Sequence, residues 1–353
     1  MRSLHRMQLP REIIVGSQIL DLVGDLCKRL GFSRSALVIT GPKTVRIAGR
    51  VIMDILKDEG FEVNHTIVTS KTPTLRDVEA VERVIKEVKP QVVLGVGGGT
   101  KIDIAKLSSA RQKVPFISVP TTASHDGMAS PFASIKGLKR PYSIMAQSPI
   151  AIIADTDIII RAPYRFIASG CGDVVAKFTS TRDWILAHKR LKEYYAQYTA
   201  SLALMSARHV SENAALIEPG NEEGVRVLLE ALVSCGVAMG IAGTSRPCSG
   251  SEHLFSHALD MVAPKPAMHG EQCGVGTVMM AFLHRMRWKS IRDVLKKVGA
   301  PTTAEELGIE PEYIIKALTL AGKVRPERYT ILNEKPLTPK LAERVARRTG
   351  VIG

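Results

Sequence analysis

The 353-residue sequence predicts two folds in succession: an α/β domain built on a parallel sheet over residues 1–162, then an all-helical domain over 163–353. Three observations carry this. Before residue 162, short β-rich runs alternate with stretches of helical periodicity. From about Pro163 onward strand-like runs nearly vanish. No internal repeat, low-complexity tract or long linker interrupts either half.

The elements follow in order. "SALVITG" (35–41) has the length of a buried strand, and Gly41-Pro42 signals a turn. "KTVRIAGRVIMDILKDEG" carries apolar residues at helical spacing and stops at Gly60. "EVNHTIVT" is the next strand, and "TLRDVEAVERVIKEVKP" a helix that Thr74 and Asp77 are placed to start. "QVVLGVGGG" is a strand running into glycines, "TKIDIAKLSSAR" a helix and "PFISVPTT" a strand. "SPFASIKGLKRPYSIM" reads as a β-hairpin with Gly137 in its turn, and "PIAIIADTDIII" as one more buried strand. Alternating strand and helix predict a Rossmann-like parallel sheet with helices on both faces. Beyond it, "YRFIASGCGDVVAKFTSTRDWILAHKR", "KEYYAQYTASLALMSARHVSENAAL" and "EEGVRVLLEALVSCGVAMGIAG" are helical.

Two loops in the first half suggest a ligand. Gly97, Gly98 and Gly99 lie between a strand and a helix start, where backbone amides can face phosphate oxygens. The triplet is contiguous, unlike GxGxxG, and a tight connection without a ligand would use the same residues. "SVPTTASHDGMASP" then places Thr121, Thr122 and Ser124 at the carboxyl edge of the sheet, where ligands bind in open α/β folds. A serine- and threonine-rich loop bonding itself is the alternative.

The second half concentrates histidine. In "SEHLFSHALDMV", His253 and His257 sit four apart on one helix face, with Ser249 or Ser251 as cap. Pro264 and Pro266 break that helix, and His269 precedes Gly270 at the next. Asp173, in "ASGCGDVVAKF", sits among small residues at an expected helix start. Imidazoles plus a carboxylate suit a borderline ion such as Zn²⁺ with an open position. Satisfied core or surface histidines remain the competing account. HxxxH here lacks the glutamate of a zinc protease motif.

Bulk properties narrow the class. Lys plus Arg number 48 against 34 acidic residues, a net charge of +14, which suits either nucleic acid or small anionic ligands. The basic residues are dispersed and no RNA- or DNA-binding signature accompanies them, so anionic small molecules are favoured and no nucleic-acid partner is expected. Five cysteines, an odd count without CxxC, predict neither a disulfide framework nor a cysteine zinc site. No run of about 18 apolar residues predicts a membrane span, and "MRSLHRMQLPREIIVG" has no signal-peptide pattern, so the expected location is the reducing cytoplasm.

Six segments together carry a family resemblance: "REIIVGSQIL", "GVGGGTKIDIAK", "VPTTASHDGMASPFASI", "ASGCGDVVAKF", "SGSEHLFSHALD" and "HGEQCGVGT". In this order, over nearly the whole chain, they resemble the iron-dependent alcohol dehydrogenase / dehydroquinate synthase-like superfamily, and within it the archaeal sn-glycerol-1-phosphate dehydrogenases. The resemblance implies a dinucleotide-binding N-terminal domain and a helical metal- and substrate-binding domain. It implies Zn²⁺ held by Asp173, His253 and His269. It implies NAD or NADP contacts from Gly97, Gly98, Gly99, Thr100, Lys101, Asp103, Thr121, Thr122, Ser124 and Ser130. Asp126, Asp173 and His257 match substrate positions, with His257 and Asp126 in catalytic roles. The implied reaction is reversible reduction of dihydroxyacetone phosphate to sn-glycerol 1-phosphate, which supplies the glycerol backbone of archaeal phospholipids. Glycerol dehydrogenase is the nearest alternative, a synthase of the dehydroquinate type the next. A basic nucleic-acid-binding protein on the same fold is the remote one. The substrate phosphate is left to Lys136, Lys139, Arg140, Lys177, Lys323 or Arg325. Exposed apolar helices in the second half predict a homo-oligomer.

Overall fold

The computed structural model describes residues 5, 7–136 and 142–353. They form two compact units, Met1–Tyr164 and Arg165–Gly353.

Unit 1 runs β1 (Glu12–Gly16), α1 (Val23–Arg29), β2 (Ser35–Thr40), α2 (Arg50–Asp58), β3 (Glu62–Ile67), α3 (Leu75–Val88), β4 (Val92–Gly97), α4 (Gly99–Arg111), β5 (Phe116–Pro120), β6 (Phe132–Ile135), β7 (Tyr142–Met145), β8 (Ala151–Asp155) and α5 (Thr156–Ile160). Six strands form one sheet in the order β1-β8-β5-β4-β2-β3. Every pairing in it is parallel, with Val38 opposite Leu94 and Leu94 opposite Ile117. Successive side chains leave a strand on opposite faces. Ala36 and Val38 therefore pack with Leu26, Ile52 and Leu56 of α1 and α2, while Leu37 and Ile39 pack with Val81, Ile85 and Ile102 of α3 and α4. The strand order reverses between β2 and β4, so a crevice opens at their carboxyl ends.

Local chemistry sets the element ends. Thr74 caps α3 in a reciprocal box with Asp77, and Lys89 closes it in the left-handed region (φ 51°) before Pro90. The β6–β7 hairpin pairs Phe132 with Met145 and Ile135 with Tyr142; the expected turn at Gly137 lies outside the described residues. "PIAIIADTDIII" is only half strand. Asp155 ends β8, its carboxylate accepts from Asp157 N at 3.0 Å, and the chain turns into α5. An apolar run of that length does not distinguish strand from buried helix, and the cap decides. The first strand, β1, is not evident from the sequence because its five residues carry no alternating pattern; it pairs with β8.

Unit 2 is helical: α6 (Arg165–Val175), α7 (Lys177–Leu191), α8 (Gln197–Glu212), α9 (Glu222–Ala242), α10 (Ser251–Val262), α11 (His269–Leu283), α12 (Trp288–Lys297), α13 (Ala304–Leu307), α14 (Pro311–Val324), α15 (Ile331–Glu334) and α16 (Pro339–Arg348). By length and composition α9 could cross a membrane, but 72% of its apolar window is buried inside the protein, as in a core helix.

Candidate metal and nucleotide sites

In unit 2 the site grows from a helix crossing without side chains at the contact. A Cβ on Gly172 would strike the Gly270 carbonyl, and one on Gly270 would strike the Ser169 carbonyl. The glycines let α6 and α11 touch backbone to backbone, and each precedes or follows a ligand-type residue. Asp173 follows Gly172; His269 precedes Gly270. The small residues of "ASGCGD" thus serve helix packing. Asp173 also lies near the end of α6 and not at a helix start as expected, because α6 begins eight residues earlier at Arg165.

Helix α10 supplies the remaining imidazoles. Neither Ser249 nor Ser251 caps it; the capping position is Gly250. The buried carboxylate of Asp183 accepts from Ser251 N (2.7 Å) and from Ser251 Oγ (2.6 Å), and also from Ile331 N (2.7 Å). His253 Nε2 stands 3.5 Å from Asp173 Oδ1. The His253 and His269 ring centroids are 5.0 Å apart, and those of His257 and His269 6.0 Å. The crossing of these helices therefore brings Asp173, His253, His257 and His269 together.

The surroundings fit a divalent cation. His253 Nδ1 lies 2.8 Å from Glu252 Oε1. Glu252 is fully buried and also accepts from Gly250 N (2.6 Å) and Thr179 Oγ1 (2.7 Å). A carboxylate on Nδ1–H leaves the Nε2 lone pair facing Asp173. Two acceptors at 3.5 Å require a proton or a cation between them. Burial works against charge on His253, yet its contact with Cys273 and its hydrogen bonds with Asp173 and Glu252 raise its pKa well above the usual value. Burial likewise pushes Asp173 up, but Lys177 and His253 outweigh it and hold the carboxyl well below the usual range. Lys177 Nζ donates to Asp173 Oδ1 at 2.7 Å, and a carboxylate with about four lone-pair sites can serve an ammonium and an ion together. His269 Nδ1 is 3.3 Å from Ser256 Oγ, and Glu271 accepts from Met268 N at 3.0 Å while pairing with Arg165, which fixes the start of α11.

Sequence reasoning missed two neighbours. Cys273, one turn along α11, has its sulfur 3.6 Å from His269 Nε2 and clusters with both imidazoles. Burial raises its pKa, so it stays a thiol beside the charged Asp173. In the sequence, Glu252 is only an acid near a helix start. No sequence pattern marks either, since their roles depend on which helices cross.

In unit 1 the glycine turn sits at the reversal of strand order. Gly97 has φ 156°, and a side chain there would meet Lys101. A Cβ on Gly99 would collide with the His125 ring. Thr121 N bonds Gly97 O at 3.1 Å. The Thr122 hydroxyl, beside Gly98, is buried and finds no partner among the described residues, as expected of a group that awaits a ligand. Lys101 Nζ donates to Ser70 O (2.6 Å) and Thr100 Oγ1 to Lys71 O (3.0 Å). Other expected contacts face inward. Asp103 accepts from Ser134 N at 3.1 Å and Ser130 Oγ donates to Phe132 O at 3.2 Å. Ser124 and Asp126 lie in the same loop after β5, where Asp126 begins a single 3₁₀ turn. The unforeseen organiser is Lys106, fully buried, whose Nζ donates to Gly127 O (2.5 Å) and Phe132 O (2.7 Å) and tethers this loop to α4.

Comparison with known proteins gives a consistent result. Residues 14–163 match the model of the iron-containing alcohol dehydrogenase family. A glycerol-1-phosphate dehydrogenase [NAD(P)+] of Pyrococcus furiosus is 54% identical over 349 residues, covering 99% of this chain and 100% of the relative. One from Methanothermobacter thermautotrophicus is 52% identical over 347 residues, 98% of this chain and 99% of the relative. Among solved structures, glycerol dehydrogenase from Schizosaccharomyces pombe superposes with a TM-score of 0.82 at 23% identity, over 98% of this chain and 90% of its own. The NADH-dependent butanol dehydrogenase A of Thermotoga maritima gives 0.74 at 19%, over 98% and 99%. Those two likenesses show the fold. The identity to full-length relatives shows more: the chain is an oxidoreductase and belongs to the glycerol-1-phosphate dehydrogenase family, within the iron-containing alcohol dehydrogenases.

Proposed function

We propose that this protein reduces dihydroxyacetone phosphate to sn-glycerol 1-phosphate, reversibly, with NAD(P)H and a Zn²⁺ ion, and so supplies the glycerol backbone of archaeal phospholipids. The observation that carries the reading is the approach of Asp173 Oδ1 to His253 Nε2 at 3.5 Å beside the His269 ring, in a chain half identical to glycerol-1-phosphate dehydrogenases. Residues 1–162 would bind the dinucleotide, and 163–353 the metal and substrate. When bound, the cation supplies a Lewis acid for the carbonyl oxygen and the nicotinamide a hydride for its carbon.

The protein's own residues do the rest. Asp173, His253 and His269 hold the ion, and Glu252 keeps His253 in the ligating tautomer. His257, one turn beyond His253 and only 7% exposed, delivers a proton to the developing alkoxide. Asp126 holds the free hydroxyl of the substrate. The amides of the Gly97–Gly99 turn and the Thr122 hydroxyl bind the dinucleotide phosphates. Thr100, Lys101, Thr121 and Ser124 complete that contact, and Asp103 and Ser130 shape the loop that makes it. The protein acts in the cytoplasm, as a homo-oligomer.

The test is NADH oxidation with dihydroxyacetone phosphate, followed by stereochemical analysis of the product. Turnover with glycerol or dihydroxyacetone but not the phosphate esters would replace this reading with a glycerol dehydrogenase. His269→Ala should lose bound metal and at least about 100-fold in kcat while remaining folded. A zinc-free, fully active variant would end the metal assignment.

A further inference from the structure

Arg328, between α14 and α15, is 7% exposed. Its Nη1 donates to Ser249 O at 2.6 Å and its Nη2 to Ser245 Oγ at 2.8 Å. No carboxylate among the described residues forms an ion pair with it. Two more arginines crowd it. Arg246, 3% exposed, is consumed by a bidentate pair with Glu193 and by Tyr329 O at 2.9 Å. Arg325 has an exposed partner, Glu327, at 3.0 Å, while its own side chain is 17% exposed. Burial, reinforced by repulsion from Arg325 and Arg246, pushes the Arg328 guanidinium down to about 9, so it stays charged at neutral pH. Glu193 and Glu252 offset part of that repulsion, but among the described residues neither forms an ion pair with Arg328. A buried charge without a counter-ion is costly, and such a surplus persists where an anion completes it.

The surplus adjoins the metal centre. The Ser249 carbonyl that Arg328 holds is followed by Gly250, whose amide bonds Glu252 Oε1, the oxygen that faces His253 Nδ1. We propose that Arg325 and Arg328 form the anion subsite that receives the phosphate monoester of the substrate. Guanidinium groups present paired donors that match phosphate oxygens. The inference rests on the reading of a phosphorylated triose as substrate and adds the residues that select it. Of the basic residues left open by the sequence, Arg325 belongs to this cluster, Lys177 is engaged by Asp173, and Lys139 and Arg140 lie outside the described residues.

The test compares Arg325→Gln, Arg328→Met and Arg328→Lys with the wild type, all zinc-loaded. The substrates are dihydroxyacetone phosphate and dihydroxyacetone. The expected result is a fall of about 100-fold in kcat/KM for the phosphate ester, mostly in KM, many times larger than any change for the unphosphorylated ketone. Arg328→Lys should recover part of the loss. Calorimetry with inorganic phosphate gives a second readout free of turnover, in which the wild type binds and Arg325→Gln does not. Equal losses for both ketones would mean that the arginines only brace the loop, and would overturn the proposal. So would phosphate binding unchanged in Arg325→Gln. If the wild type fails to reduce dihydroxyacetone phosphate but phosphate binding is still lost in Arg325→Gln, the proposed reaction falls and the anion subsite stands. Arg325, more exposed than Arg328, keeps the test valid if the buried Arg328→Met does not fold.

Discussion

At the scale of single residues, Glu252 has the clearest consequence. It touches no substrate in this account, yet it fixes the imidazole that faces Asp173. Glu252→Gln keeps the shape but can present an N–H to Nδ1, which favours the wrong tautomer. We expect about 10- to 100-fold weaker zinc binding, read by competition with a chromophoric chelator, with melting nearly unchanged in the metal-free protein. Asp77 offers a pH-dependent case in unit 1. Burial tends to raise its carboxyl, but hydrogen bonds from Ser70 and Thr74 and the charge of Lys101 prevail and lower it. Its folded pKa lies below the unfolded one, so its stabilisation is complete above the unfolded value of about 3.9 and is lost as pH falls through the folded value. Asn imitates the protonated acid. Asp77→Asn should therefore cost about 1 kcal/mol at pH 7 and less at about pH 3, below the unfolded value, measured by chemical denaturation of both proteins. An equal deficit at both pH values would contradict the cap.

At the scale of elements, the crossing of α6 and α11 determines whether the metal residues meet. Gly172 and Gly270 allow carbonyl contact across that crossing, and Asp173 and His269 ride on its two sides. Gly270→Ala inserts a methyl where the Ser169 carbonyl stands, so the helices must part. Overpacking of this kind costs about 1–3 kcal/mol. The same displacement should lower metal occupancy, which distinguishes it from simple destabilisation. Elemental analysis of the folded fraction is the measurement, and full occupancy there would show that the crossing does not set the site. The sequence made the glycines visible but not their use, because a small residue beside an aspartate suits a ligand or a neighbouring helix equally well.

At the scale of the whole molecule, the charge of +14 acts on ligands that are anions. Steering by a net field is screened over about 10 Å at 0.1 M salt. The value of kcat/KM for dihydroxyacetone phosphate should fall by about 10-fold between low and moderate ionic strength, while that for dihydroxyacetone changes little. A flat response for the phosphate ester would show that the dispersed basic residues are only a solvated surface.

The sequence by itself determined most of the strand–helix alternation in the first half, the helical character of the second, the cap of α3 and the glycine turn, and it singled out Asp173, His253, His257 and His269 as ligand-type residues. Those features depend on local periodicity and on residue chemistry, which are written along the chain. Only the tertiary structure decided that Asp183 caps α10, that Glu252 backs His253, that Cys273 joins the imidazoles, and that Arg328 is buried with no ion-pair partner among the described residues. Each of these joins groups whose spacing in sequence carries no period. Their meeting depends on how helices cross, and a crossing is settled by packing between surfaces that the linear order does not display.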